Sequence, residues 1–340
     1  MNANNYLGVL IEMASSANRS FYFDNAKFIL IFLVVFGHVI SPLKSSDNFL
    51  FSLYAVIFLF HMPAFILISG YFSKGYRKKG YLQKISKKIL LPYLVFQVIY
   101  SLFYYFNGQE ANLAFDLLQP HWTLWFLLSL FFWNLLLYAF ARLKWVGLVI
   151  ALAIGVAVGY LDDAGSYLSL SRTFVFFPYF LLGFLLEPQH MKLVKKIKFS
   201  SAMGLAILLG ALAVFHAFFP KDAVHWLLGD TSYAGLGVTE PGAGIIRFFQ
   251  YLITFIMIYG FLALVPTKGN KFTVIGQRTF YIYLLHGFII KTIQTFVDED
   301  ILSGLANHYL ALTVFSLCIC LLLGSYAINK YARPLVELRI

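Results

Sequence analysis

Ten stretches of this chain, at 26–43, 52–73, 88–107, 122–141, 144–160, 172–187, 200–219, 244–264, 279–297 and 306–329, are apolar over most of their length. A helix of roughly 20 such residues crosses the hydrocarbon of a bilayer. Nothing else in the sequence restricts the fold as much, because lipid offers no hydrogen bonds and backbone groups must pair inside a helix or a closed barrel. Barrel strands alternate apolar and polar residues, and these stretches do not. The remaining composition agrees: 60% of residues are hydrophobic and 12% charged, too little polar surface to wet a globule. The expected fold is all-α and polytopic, with about ten transmembrane helices in one membrane-embedded domain covering 1–340. Segment 110–121 is too polar to span and reads as an interfacial turn before the fourth helix.

Loop charges give the helices a direction. With the N-terminus inside, 21 of the 26 Lys and Arg fall in cytoplasmic segments, and 11 of the 15 Asp and Glu fall outside. A miscounted span would scramble that alternation from that point onward, so both termini are expected in the cytoplasm. Lys44, Arg172, Lys221, Arg247 and Lys291 are the five cations left outside. The net charge of +11 is thereby explained by topology, without a nucleic-acid partner. The first twenty residues lack the cationic start and long apolar run of a signal peptide. Cys318 and Cys320 point in different directions on a helix, so neither a disulfide nor a metal site is expected.

Ionisable groups at membrane depth cost several kcal/mol and are functional candidates by default. In the first helix, Lys27 and His38 are eleven residues apart. At about 100° per residue they return to nearly one face, some 16 Å apart along the axis, with Asp24 within about 40° of it. The stripe is either a functional channel wall or a snorkelling lysine with a histidine bonded to a neighbouring helix. His61 in the second helix is a second ionisable group of a site or an interhelical hydrogen bonder, and Pro63 can free backbone carbonyls nearby. The cationic loop 74–88, with Lys74, Lys84 and Lys88, is a topology determinant or a phosphate-binding collar. His286 also lies within the membrane, in the ninth helix. Arg247 opens the eighth helix as an interfacial anchor or a ligand for an anionic or sugar group. Trp122 and Trp125 begin the fourth as an aromatic belt or as sugar-stacking faces.

Taken together, these residues resemble the membrane acyltransferase 3 family, and within it the fucose 4-O-acetylase-like branch of carbohydrate O-acyltransferases. The resemblance runs through DNAKFILIFLVVFGH, FHMPAFILISGYF, KKILLPY, HWTLWFLLSLFFW and RTFYIYLLH, in that order along the chain. It implies acyl transfer across a bacterial plasma membrane, from acyl-coenzyme A (acetyl-coenzyme A in the first instance) in the cytoplasm to a glycan hydroxyl on the outer side. In the family's first-helix pattern, a basic residue, ten others and a histidine, His38 matches the histidine. Lys27 stands where arginine is commoner, losing the bidentate fork but keeping the charge. His61, Ser69 and Gly70 match the second-helix motif. The chain stops at Ile340, so the extracellular esterase-like domain of many relatives is not expected here.

A glycan hydroxyl needs a base titrating near neutrality, which histidine supplies. The expected roles follow. His38 is the general base, or the carrier in a covalent acyl-histidine relay, with His61 beside it. Lys27, Ser69, Lys74, Lys84 and Lys88 hold the donor and its phosphates. Asp24, Trp122, Trp125, Arg247 and His286 line the substrate path. No metal is expected, and partners are the donor, the glycan, membrane lipid and other proteins of polysaccharide synthesis. The rival readings are a flippase or exporter of lipid-linked or polymeric sugars, and a scaffold for other membrane enzymes.

Overall fold

The structure is a computed structural model describing residues 20–165 and 167–337. The stretch read for a leader, with Glu12 and Arg19, lies outside the described residues, as does Arg339. Among the described residues every regular element is helical. The principal helices are α1 (Phe21–Ile40), α2 (Asn48–Tyr71), α3 (Tyr81–Phe106), α4 (Trp125–Phe140), α5 (Lys144–Ala157) and α6 (Leu170–Leu185). They continue with α7 (Pro188–Lys196), α8 (Ser200–Phe218), α9 (Ala243–Leu264), α10 (Thr279–Phe296), α11 (Tyr309–Leu323) and α12 (Tyr326–Glu337). Among the described residues seven helical segments are long and apolar enough to cross a membrane, or eight if the bent pair α11–α12 counts as one.

One expected helix boundary falls where the sequence placed it, and one expected span is bent. Trp122–Tyr160 forms one helical run of 39 residues, about 58 Å at 1.5 Å per residue and so twice a bilayer's hydrocarbon. It breaks at Ala141–Leu143, where Lys144 adopts φ 50°, and both arms pack along α6. Segment 306–329 is not one straight helix either: α11 and α12 meet at 63° across Gly324 and Ser325.

Helix α2 is the axis of the bundle. Of its most apolar stretch 78% is buried, against 6% for α8, which faces outward along most of its length. The α2–α6 contact is the most extensive between any two helices. Its closeness depends on two glycines, since a Cβ at Gly70 would lie 2.0 Å from the Phe180 carbonyl oxygen and one at Gly183 1.9 Å from that of Leu67. Proline in a helix leaves the carbonyl four residues earlier without its donor. For Pro63 that carbonyl is Leu59, and it accepts from Thr254 Oγ1 of α9 at 3.3 Å. The kink residue thus ties α2 to α9. In α3, Pro92 cannot donate to the Lys88 carbonyl, and the turn Ser86–Leu90 widens into a π-helix.

Segment 110–121 forms no helix and is held against α3. Buried Gln97, roughly 14 Å along α3 from Phe106, donates to the Asp116 and Gln119 carbonyls and accepts from the His121 amide. Tyr93 donates to Leu117 O. The loop therefore folds back along α3 and delivers Trp122 below the outer ends of the helices.

Candidate active site

Two cavities are stacked inside the bundle. The first, outer by the side on which the charge pattern is expected to place it, has about 370 Å³ and is lined by His38, Ser41 and Lys44 at the end of α1, Tyr54, Phe58 and His61 of α2, Trp122 and Trp125, Arg172 and Phe176 of α6, and Asp230 of the loop before α9. The inner one, of about 230 Å³, is an apolar sleeve of Ile31, Phe65, Ile89, Phe126 and Phe280 among others, with Ser69, Lys88 and Thr279 as polar points. Val34, Met62 and Tyr283 line both. These three residues form a wall common to both, so the two hollows adjoin. The π-turn in α3 carries Lys88 and Ile89 to the inner cavity.

His38 is held between His286 and Trp122. Its Nδ1 lies 3.1 Å from Nε2 of His286, and the two rings are parallel within 3°. Trp122 covers the pair, its ring centroid 4.3 Å from that of His38 and 5.9 Å from that of His286. Trp122 sits at φ 28°, a backbone value uncommon for a bulky side chain. His286 in turn places its Nδ1 2.9 Å from the Ile282 carbonyl oxygen. His61 bonds to the Ile57 carbonyl of its own helix at 2.7 Å and turns the rest of its ring to the outer cavity. It makes no interhelical hydrogen bond through Nδ1.

The five cations that the charge count left outside share an environment. Lys44 lies over Tyr54, Arg172 over Trp125, Lys221 over Phe51, Arg247 over Trp226 and Lys291 over Trp122, at 4.9–6.0 Å from the ring centroids. Ring faces attract cations, which offsets the loss of water there. Arg172 also bonds to Asp230 and to the Leu228 carbonyl, and Ser171 bonds to Gly229 O. Together they clamp the loop before α9 over the outer cavity. Lys44 and Arg172 line that cavity and Lys291 covers Trp122, whereas Lys221 and Arg247 do neither. Tyr283 and Met62 carried no signal, being ordinary members of apolar runs.

Residues 20–325 match the acyltransferase domain family. The chain belongs to that family. Among the described residues it carries several helices long and apolar enough to cross a membrane. The nodulation protein NolL of Sinorhizobium fredii is 32% identical over 188 residues, which is 51% of this chain and 50% of NolL. NolL of Mesorhizobium japonicum is 32% identical over 188 residues, covering 51% and 49% respectively. The chain therefore spans about half the length of the curated relatives it matches. No solved structure matches it.

Of the residues singled out from the sequence, the fold brings His38, His61, Trp122 and Trp125 to the outer cavity and Ser69 and Lys88 to the inner one. Trp122 is thus in contact with His38 and is not a surface belt residue. Lys27 lies one turn below Ile31, with its ammonium 2.7 Å from Asp24, and neither residue lines a cavity. The stripe on α1 that does face the hollows is Ile31, Val34 and His38. Lys74 donates to the carbonyls of Phe184 and Leu186 at the end of α6, and its burial there pulls its ammonium below the ordinary value, with Glu187 opposing. Lys84 is exposed. Arg247 is buried away from both cavities, bonded to Trp226 O and Gln250. His286 stands behind His38 and lines neither cavity. No group of three or more His, Cys, Asp or Glu side chains suited to a metal occurs among the described residues.

Proposed function

We propose that this acyltransferase moves an acyl group, acetyl in the first instance, from a coenzyme A thioester entering on the cytoplasmic side to a glycan hydroxyl entering from outside, at the plasma membrane of a bacterium. One observation carries the proposal: two adjacent cavities share Val34, Met62 and Tyr283 in their lining, and His38 lines the outer of them. The inner sleeve suits a slender apolar acyl chain and pantetheine arm, and Lys88 at its wall is a point charge for donor phosphate. The outer cavity has the aromatic faces and hydrogen-bonding groups that take sugars. A neutral His38 accepts the hydroxyl proton as the oxygen attacks the thioester carbonyl. The new C–O bond forms, the C–S bond breaks, and the departing thiolate takes the proton back from the imidazole.

The test is reconstitution in liposomes, with radiolabelled acetyl-coenzyme A on one face and candidate glycans on the other. Label should move to glycan across the bilayer and be lost when the donor is on the wrong side. Transfer confined to one face would overturn the proposal. Two variants examine the two halves. Met62→Trp fills the junction and is expected to lower turnover at least ~10-fold, with folded yield close to wild type, since one overpacked side chain costs about 1–3 kcal/mol. Arg172→Leu removes the cation from Asp230, leaving it only the Thr231 hydroxyl, and loosens the loop over the outer cavity. A KM for the glycan raised about 10-fold with the donor KM unchanged is expected. A rise in donor KM instead would remove Arg172 from the acceptor side.

A further inference from the structure

The hydrogen bonds behind His38 have a direction, and it is fixed far from the substrate. A backbone carbonyl can only accept, so the 2.9 Å bond from His286 to Ile282 O requires the proton on His286 Nδ1. A neutral imidazole carries one N–H, which leaves Nε2 of His286 as a lone pair. That lone pair faces His38 Nδ1 at 3.1 Å, so His38 must donate through Nδ1 and hold its own lone pair on Nε2. We infer that His286 is a positioning residue that fixes His38 as the Nδ1–H tautomer and so presents Nε2 as the base toward the outer cavity. This rests on the reading of His38 as the base.

The surroundings make the arrangement rigid. His286 is fully buried, parallel to His38 and covered with it by Trp122. A Cβ at neighbouring Gly287 would fall 2.2 Å from Tyr100 Oη, and Tyr100 donates to Leu284 O. Helix α10 is thereby pinned to α3 on either side of His286. No ion pair among the described residues reaches His38 or His286. The orienting role that a carboxylate plays in many histidine-based sites falls here to a second imidazole and a main-chain carbonyl. When Nε2 of His38 takes the hydroxyl proton, the Nδ1–H bond to His286 strengthens, and it relaxes when the thiolate recovers that proton.

Nitrogen NMR of histidine-labelled protein in nanodiscs reads the tautomer directly. Wild type is expected to show His38 protonated at Nδ1 and not at Nε2, and the opposite assignment would overturn the inference without any variant. In His286→Phe, which keeps a buried ring but offers no lone pair, His38 should shift to a mixture of tautomers. Turnover of acetyl-coenzyme A with water as acceptor should then fall about 100-fold in kcat, with KM within about two-fold. His286→Gln, whose amide oxygen accepts from Nδ1–H, should recover about ten-fold of that loss. A merely structural role predicts no rescue by Gln and no change of tautomer, and either result counts against the inference. If His38→Ala keeps full turnover, the reading of His38 as base fails, whereas unchanged kcat in His286→Phe beside an inactive His38→Ala sinks the positioning role alone.

Discussion

Replacing His38 with alanine should reduce acyl transfer by at least ~10³-fold while leaving the protein folded. General base catalysis is worth about 10²–10⁴ in rate, and no other described imidazole occupies the same place. His61 also faces the outer cavity, but its Nδ1 is committed to Ile57 O and Phe58 lies beside both rings. The structural cost is small by comparison. His38 is half-buried at the cavity wall, and its loss leaves the acceptor Nε2 of His286 without a donor, about 1–3 kcal/mol. His38→Gln separates the two effects, because the amide donates to His286 yet has no basic nitrogen. It should fold like wild type and be as inactive as His38→Ala. Transfer by His38→Gln within about ten-fold of wild type would show that the position supplies a hydrogen bond and not a base. Accumulation of label on the wild-type protein, absent from the variant, would point to the acyl-histidine relay.

The largest expected effect on stability comes from residues with no side chain. Gly183→Ala would place a methyl group 1.9 Å from Leu67 O, and Gly70→Ala would place one 2.0 Å from Phe180 O. In each case the obstacle is backbone, which has no rotamer to change, so α2 and α6 must separate along their length. Between helices in lipid, close backbone approach is the source of packing energy, since burial from water adds little. A loss of about 3 kcal/mol or more is expected for either variant. It would be read as a lowered unfolding midpoint in detergent and reduced monodisperse yield. Activity should fall with it, because α2 carries His61 and α6 carries Arg172 and Phe176 of the outer cavity. Gly210→Ala on outward-facing α8 is the control. Nothing lies within 4 Å of a Cβ there, and alanine is the better helix former by about 1 kcal/mol. Wild-type stability in Gly183→Ala, or equal losses in Gly183→Ala and Gly210→Ala, would rule out this account of the α2–α6 contact.

Particular residues show where a sequence informs about a site and where it does not. His38 and His61 were legible because a polar group in an apolar run is costly wherever it points. Lys44, Arg172 and Lys291 were legible in principle too, as cations on the side that cations avoid. Asp24 and Lys27 show the limit of helical periodicity: they share a stripe with His38, yet pair with each other below the inner cavity. A stripe gives direction around an axis and says nothing about where a hollow begins. Trp122 shows a second limit, since a tryptophan at the start of a spanning helix reads as a belt residue. Only the return of loop 107–121 along α3, through Gln97 and Tyr93, brings it against His38.

The apolar runs determined by themselves that this chain is helical and lies in a membrane, because lipid leaves the backbone no other way to satisfy its hydrogen bonds. Most helix bounds follow from the same runs. Which helix is central, which glycines are indispensable and which imidazole stands behind which were decided only by tertiary packing. Lipid tails and neighbouring helices are equally apolar, so nothing in an apolar sequence separates the face that meets one from the face that meets the other.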